Sequence, residues 1–215
     1  MTSAPRQVTD INGVRYSLLR QLGRGGQGAV YEVDGGRLAA KIVFDSSAAR
    51  RERLRNQLTQ VKRLSLADLE IARPIEMLRE PVLGYVMELL TGMQPLNALG
   101  AVPKEESSPA AWYLAGGGLR RRLQLLARSA DALAALHGKG LVYSDPSPHN
   151  IFVSESPAAT EVRFIDADNI HYASVAGMPA VYTPGYGAPE LVRCTSGVNS
   201  LTDAHAFSVL AFQTL

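Results

Sequence analysis

Over the first ninety residues apolar positions come in short β-prone runs, and in the second half they settle into helical spacing. Val14–Leu22 follows an Asn12-Gly13 turn signal and reads as a strand. Tyr31–Val33 and Arg37–Phe44, parted by Asp34-Gly35-Gly36, read the same way, as do Ile71–Leu78 and Val82–Leu90. Between Ser46 and Ala67 the apolar residues Leu54, Leu58, Val61 and Leu64 recur every three or four positions, which predicts an amphipathic helix. Residues 91–118 are rich in Gly, Pro, Ser and Ala and predict a connection with a short helix around Pro109–Leu114. A longer helix follows over Leu119–His137, with Leu123, Leu126, Ala130, Leu133 and Leu136 on one face and Gly138 as its stop.

Asn150–Ser154 and Glu161–Ile165 are β-prone and enclose a polar turn, so they predict a hairpin. Asp145 precedes it, Asn150 opens it and Asp166 ends it, which suits a hard cation and an attacking hydroxyl. The same residues are equally ordinary turn formers. Upstream, Gly23, Gly25 and Gly28 have G-x-G-x-x-G spacing. A dinucleotide site needs a helix directly after the glycines. Here a strand follows, and the next strand carries Lys41, so the pattern favours a hairpin that clamps phosphate.

The formal net charge is only +2, yet arginine clusters at Arg50, Arg51, Arg53 and Arg55 and again at Arg120–Arg122. Both clusters fall in predicted helices without interleaved aromatics, so they read as solvated faces and no direct nucleic-acid contact is expected. The single cysteine, Cys194, excludes an internal disulfide framework and fits a reducing compartment. No apolar run reaches membrane-spanning length and the start lacks a secretory pattern, so no membrane contact and a cytoplasmic location are expected.

Taken together the motifs resemble a protein kinase domain from about Tyr16 onward. Gly23, Gly25, Gly26, Gly28 and Val30 match the glycine-rich loop, and Ala39-Ala40-Lys41 the strand motif in which Ala lies against adenine and Lys holds the phosphates. Asp145 to Asn150 has the catalytic-loop spacing, Asp166 stands where D-F-G begins, and Ala188-Pro189-Glu190 is a literal A-P-E. The forms DPSPHN, FIDADN and TPGYGAPEL resemble an atypical bacterial subgroup often linked to helix-hairpin-helix modules. The resemblance implies an α+β, bilobal fold: a tail over 1–15, a small lobe over 16–90 with a five-stranded antiparallel sheet and one helix, and a mainly helical large lobe over 91–215 that stops early. It implies ATP and Mg²⁺ as cofactors and a protein substrate received by Thr183–Glu190. Asp145 would be the catalytic base, Asn150 and Asp166 the metal ligands, Met87 the gatekeeper, and Glu88 and Leu90 the backbone contacts to adenine. Asp203 would anchor the catalytic loop.

Several positions depart from the family pattern. Tyr143-Ser144 replaces His-Arg before Asp145, Ser147 replaces a lysine, and D-F-G becomes Asp166-Ala167-Asp168. Asp168 is either a further metal ligand or a turn residue. The helix partner of Lys41 is either Gln57 or Glu52, the latter alternatively a surface residue paired with neighbouring arginines. Glu190 would lack its arginine, and apolar surface around Phe207, Leu210 and Phe212 would await a partner or further chain. Two functions follow: transfer of the γ-phosphoryl group of ATP to Ser or Thr in bacterial signalling, or a pseudokinase that binds nucleotide as a regulatory scaffold.

Overall fold

The computed structural model describes residues 5–64, 66, 69–174 and 180–215 and divides into two compact units. The smaller comprises residues 1–66 and 72–91. Its strands are β1 (Gln7–Thr9), β2 (Arg15–Arg24), β3 (Gly28–Val33), β4 (Leu38–Val43), β5 (Pro74–Met77) and β6 (Gly84–Glu88). They form one antiparallel sheet in the order β1-β2-β3-β4-β6-β5. Six strands stand where five were expected, because residues read as part of a tail form β1 on β2. A three-residue polar strand leaves no alternation to read, but Val8 is 3% exposed and joins Tyr16, Val33, Ala40 and Val86 in one core.

The other face of the sheet is covered by α1 (Ala48–Arg63), as the three-and-four spacing predicts. Leu54 and Leu58 bury themselves against Ala39, Val43, Tyr85 and Met87. The helix starts where the Ser47 side chain accepts from Arg50 N at 3.3 Å, and it ends at Arg63, before the expected Ala67, which lies outside the described residues.

The larger unit spans residues 67–71 and 92–215. It contains β7 (Met93–Pro95), α2 (Pro109–Ala115), α3 (Gly118–Gly138), β8 (Leu141–Val142), β9 (Ile151–Ser154), β10 (Val162–Phe164), β11 (His171–Tyr172), α4 (Pro189–Val192) and α5 (Ser200–Thr214). The predicted hairpin is β9–β10, and β7 adds to its free edge; β8 and β11 form a second small ribbon.

The buried stripe of α3 differs from the sequence expectation. Leu123 is 49% exposed, whereas Arg121 and Arg122 are 3% and 2% exposed. These two arginines are therefore not a solvated face. Arg121 donates to the carbonyls of Gly116, Ser154 and Ala159, tying α3 to the β9–β10 hairpin. Arg122 donates to Leu99 O at 2.6 Å and Thr214 O at 3.0 Å and lies 4.1 Å from the Tyr113 ring centre. The second bond satisfies a carbonyl in the last turn of α5, where a cation is also favoured by the helix dipole. Burial lowers the pKa of both guanidinium groups. On α5, Leu210 is buried and Phe207 half-buried, so of the three residues expected to be uncovered only Phe212 is, at 85% exposure.

Candidate active site

The hairpin β9–β10 sets the geometry of the large unit's acidic end. Phe164 pairs with Ile151, and Ile165 N donates to Asn150 O at 2.9 Å, so Asn150 and Asp166 emerge at the same end. Asn150 turns its amide Nδ2 toward Asp145, donating to Oδ2 at 2.9 Å and to the backbone O at 3.0 Å. Its Oδ1 is left directed away from that carboxylate. Asp145 is 7% exposed and also accepts from Thr183 N at 2.8 Å and Thr183 Oγ1 at 2.9 Å. That clamp was missed in the sequence, because Thr183 lies 38 positions away and no local spacing joins the two.

The loop before Asp145 is held from behind by α5. Asp203, fully buried, accepts from Tyr143 N at 2.7 Å, Ser144 N at 2.9 Å and His137 Nε2 at 2.9 Å. It is the anchor that the sequence anticipated. Ser144 has φ +78°, a left-handed conformation that costs a non-glycine residue about 1 kcal/mol. Its N–H is taken by Asp203, and its Oγ is within 3.1 Å of Asn169 O and 2.8 Å of His171 Nε2, so both sides hold it there.

Tyr143 fills the place where the family pattern has histidine. Its ring is fully buried edge-on against Phe164, centroids 4.9 Å apart, and its hydroxyl donates to Ile165 O, with Asn150 O at 3.3 Å. A phenol thus ties the catalytic loop to the strand end that carries Asp166. Burial above all, and then the charges of Asp166, Asp145, Asp168 and Asp203, hold its pKa well above the ordinary phenol value. Four carboxylates therefore converge electrostatically on one un-ionised hydroxyl. Asp166 has φ +54° and begins a 3₁₀ turn over Ala167–Asn169 in which Asp168 is 4% exposed. Ser147 is wholly buried, and its Oγ has no hydrogen-bond partner among the described residues.

In the small unit, the glycine stretch is the turn of the β2–β3 hairpin, closed by Gly25 N to Gly28 O at 2.9 Å. The glycines differ in what they permit. A Cβ on Gly28 would lie 2.4 Å from Ile42 O, so this glycine is required by the neighbouring strand. Gly23, Gly25 and Gly26 have nothing within 4 Å of such a Cβ, so protein packing does not explain them. Val30, Lys41 and Tyr85 sit in register across β3, β4 and β6, as do Ala39 and Met87 across β4 and β6. Lys41 is 8% exposed, its Nζ 5.7 Å from the Tyr85 ring centre, and it is not without a further partner. Glu52 is turned to its own helix surface, beside Arg55 at 3.7 Å and Asn56 at 3.4 Å, and among the described residues neither it nor the half-buried Gln57 bonds to Lys41. Glu88 closes β6 opposite Leu38, and Leu90 follows half-buried.

The protein kinase domain family model matches residues 16–215. The chain belongs to the protein kinase family. This kinase domain is 32% identical over 219 residues to the serine/threonine-protein kinase Pkn1 of Myxococcus xanthus, covering 94% of this chain and 29% of that protein. It is 28% identical to the DNA damage-responsive serine/threonine-protein kinase RqkA of Deinococcus radiodurans, covering 93% of this chain and 29% of the relative. The chain thus spans less than a third of the length of either. The solved structure of vaccinia related kinase 3 matches the whole chain and 69% of its own length with a TM-score of 0.68 at 19% identity, which shows a shared kinase fold. Among the described residues no helix of the kinase domain is long and apolar enough to cross a membrane.

Proposed function

We propose that this kinase domain transfers the γ-phosphoryl group of ATP to a Ser or Thr hydroxyl of a protein, in bacterial signalling. The observation that carries the reading is the state of Asp145: nearly buried, its rotamer set by Asn150 and Thr183, and its loop fixed by Asp203. A carboxylate so held is placed to orient a hydroxyl and accept its proton. Lys41 and the unobstructed glycines Gly23, Gly25 and Gly26 are assigned to the phosphates, with Gly28 and Val30 shaping the hairpin. Ala39 and the backbone of Glu88 and Leu90 are assigned to adenine.

The residues present fit Mg²⁺. Asn150 Oδ1 and the Asp166 carboxylate are hard oxygen donors at one hairpin end. Among the described residues no cluster of three His, Cys, Asp or Glu side chains could enclose a metal alone. One or two protein oxygens, with water and phosphate completing the shell, is the usual Mg²⁺ arrangement. When bound, the cation would neutralise charge at the phosphates, held by Asn150 Oδ1 and the Asp166 carboxylate. Asn150 therefore has two roles, aligning Asp145 through Nδ2 and offering Oδ1. Because Ser147 replaces the cation two residues after Asp145, the transfer lacks one positive charge that the family usually provides, and slow turnover is expected.

The full-length protein tests this reading. Mg·ATP should raise its melting temperature, and radiolabel from the γ-position should appear on Ser or Thr in the wild type but not in Asp145→Asn. A melting shift with no transfer from the wild type would select the pseudokinase instead, and no shift would remove both.

A further inference from the structure

The small unit has a concavity that none of its glycine-hairpin residues, nor Lys41, lines. Its volume is about 480 Å³, and it lies where the last turn of α1 meets one end of β4, β5 and β6. Val61, Leu64 and Ile75 give it aliphatic walls, and Ile75 remains 45% exposed. Arg37, Lys62 and Arg73 line it as well, against one carboxylate, Glu88. Lys62 is paired to Glu76 at 2.6 Å. Arg37 and Arg73 are exposed, and among the described residues their guanidinium groups have neither an ion pair nor a hydrogen bond.

The charge around the pocket is one-sided beyond its own lining. The small unit holds fourteen Lys and Arg against eight Asp and Glu, a formal +6, so the rest of the chain carries −4 within the total of +2. On α1, Arg50, Arg51, Arg53, Arg55, Lys62 and Arg63 face a single acid, Glu52. A field of this kind attracts anionic partners and raises their rate of encounter. Among the described residues the lining contains no aromatic side chain on which a base could stack, which argues against single-stranded nucleic acid as the occupant.

We propose that this pocket docks an acidic protein segment. One apolar side chain enters between Val61, Leu64 and Ile75, and flanking carboxylates meet Arg37 and Arg73. The lining shares Glu88 with the residues assigned to adenine, but the contacts proposed here use Val61, Leu64, Ile75, Arg37 and Arg73, none of which is assigned to the nucleotide, and peptide binding is read without nucleotide. Since α1 forms one wall, occupancy bears directly on the helix that covers the Lys41 face of the sheet.

The test is fluorescence anisotropy on the full-length protein with a labelled peptide of sequence DEELDEE. Saturable binding is expected, weakened about tenfold by the double variant R37E/R73E and severalfold when the peptide's leucine is replaced by serine. Both arginines are exposed and, among the described residues, unpaired, so the double variant should melt as the wild type does; R37Q/R73Q serves if it does not. Absence of saturable binding at low salt overturns the proposal, as does affinity indifferent to R37E/R73E or to loss of the peptide's leucine. Displacement of the peptide by a single-stranded oligonucleotide, at lower concentration than by unlabelled peptide, makes the surface a nucleic-acid interface and also overturns it.

Discussion

Replacing Asp203 by asparagine removes one acceptor oxygen from a fully buried site that serves three donors. In the wild type Oδ2 accepts from Tyr143 N and His137 Nε2, and Oδ1 accepts from Ser144 N. Asparagine keeps a single oxygen. Whichever way its amide turns, an NH₂ group faces the backbone N–H of Tyr143 or of Ser144, two donors with no acceptor between them. The cheaper orientation keeps Tyr143 and His137 and abandons Ser144, which is also the residue whose left-handed backbone that bond helps to hold. A hydrogen bond to a charged group contributes about 1.5–3 kcal/mol, and an unsatisfied buried donor costs a similar amount, with much of the two counted in common. Asp203→Asn should therefore cost about 3 kcal/mol of the roughly 5–15 kcal/mol that a domain possesses. Urea unfolding followed by far-ultraviolet circular dichroism measures the loss. Phosphoryl transfer should fall as well, though Asp203 touches no substrate, because the loop that presents Asp145 is loosened. A stability loss below about 1 kcal/mol, or an unchanged kcat, would refute the reasoning.

Gly28→Ala places a methyl group against Ile42 O and should cost about 1–3 kcal/mol of stability, whereas Gly25→Ala should leave unfolding unchanged while weakening nucleotide-dependent thermal stabilisation. Arg122→Met strands the carbonyls of Leu99 and Thr214 and should cost about 2 kcal/mol in chemical denaturation, with Arg122→Lys recovering only part because an ammonium has no fork. Tyr16 is held by burial first, and then by its bond to Asp10 and the charges of Asp10 and Glu76, with its pKa pushed up to about 12. The neutral phenol is the favoured form in the fold, so its contribution is complete below the ordinary value of 10.0 and is lost as pH rises toward about 12. Tyr16→Phe should abolish that part of the alkaline loss of stability, as read by urea unfolding from pH 9 upward.

What could be read from the chain alone was whatever its neighbours in sequence decide. The hairpin carrying Asn150 and Asp166 is one turn between two β-prone runs, and α1 announces itself in four aliphatic residues at helical spacing. Lys41 was legible because a turn and a strand set its distance from the glycines. In each of these the determining contacts lie within a few residues, so pattern and structure share one cause. Recognition of Asp203 as the loop's anchor came from the family pattern and not from any local signal.

Tertiary structure decided the rest, because long-range partners can reverse the meaning of a polar residue. Arg121 and Arg122 read as solvent-facing by type, yet carbonyls of distant segments receive their donors and make burial favourable, displacing Leu123 to the surface. The three residues of β1 are too few to show alternation and become a strand only because β2 offers an open edge. Tyr143 looked like the loss of a histidine until its hydroxyl was found bridging two chain segments, and Thr183 gains its place on Asp145 across 38 residues. Local preference specifies which elements form; only the assembled core specifies which donors and acceptors are left facing one another, and the chemistry resides in those.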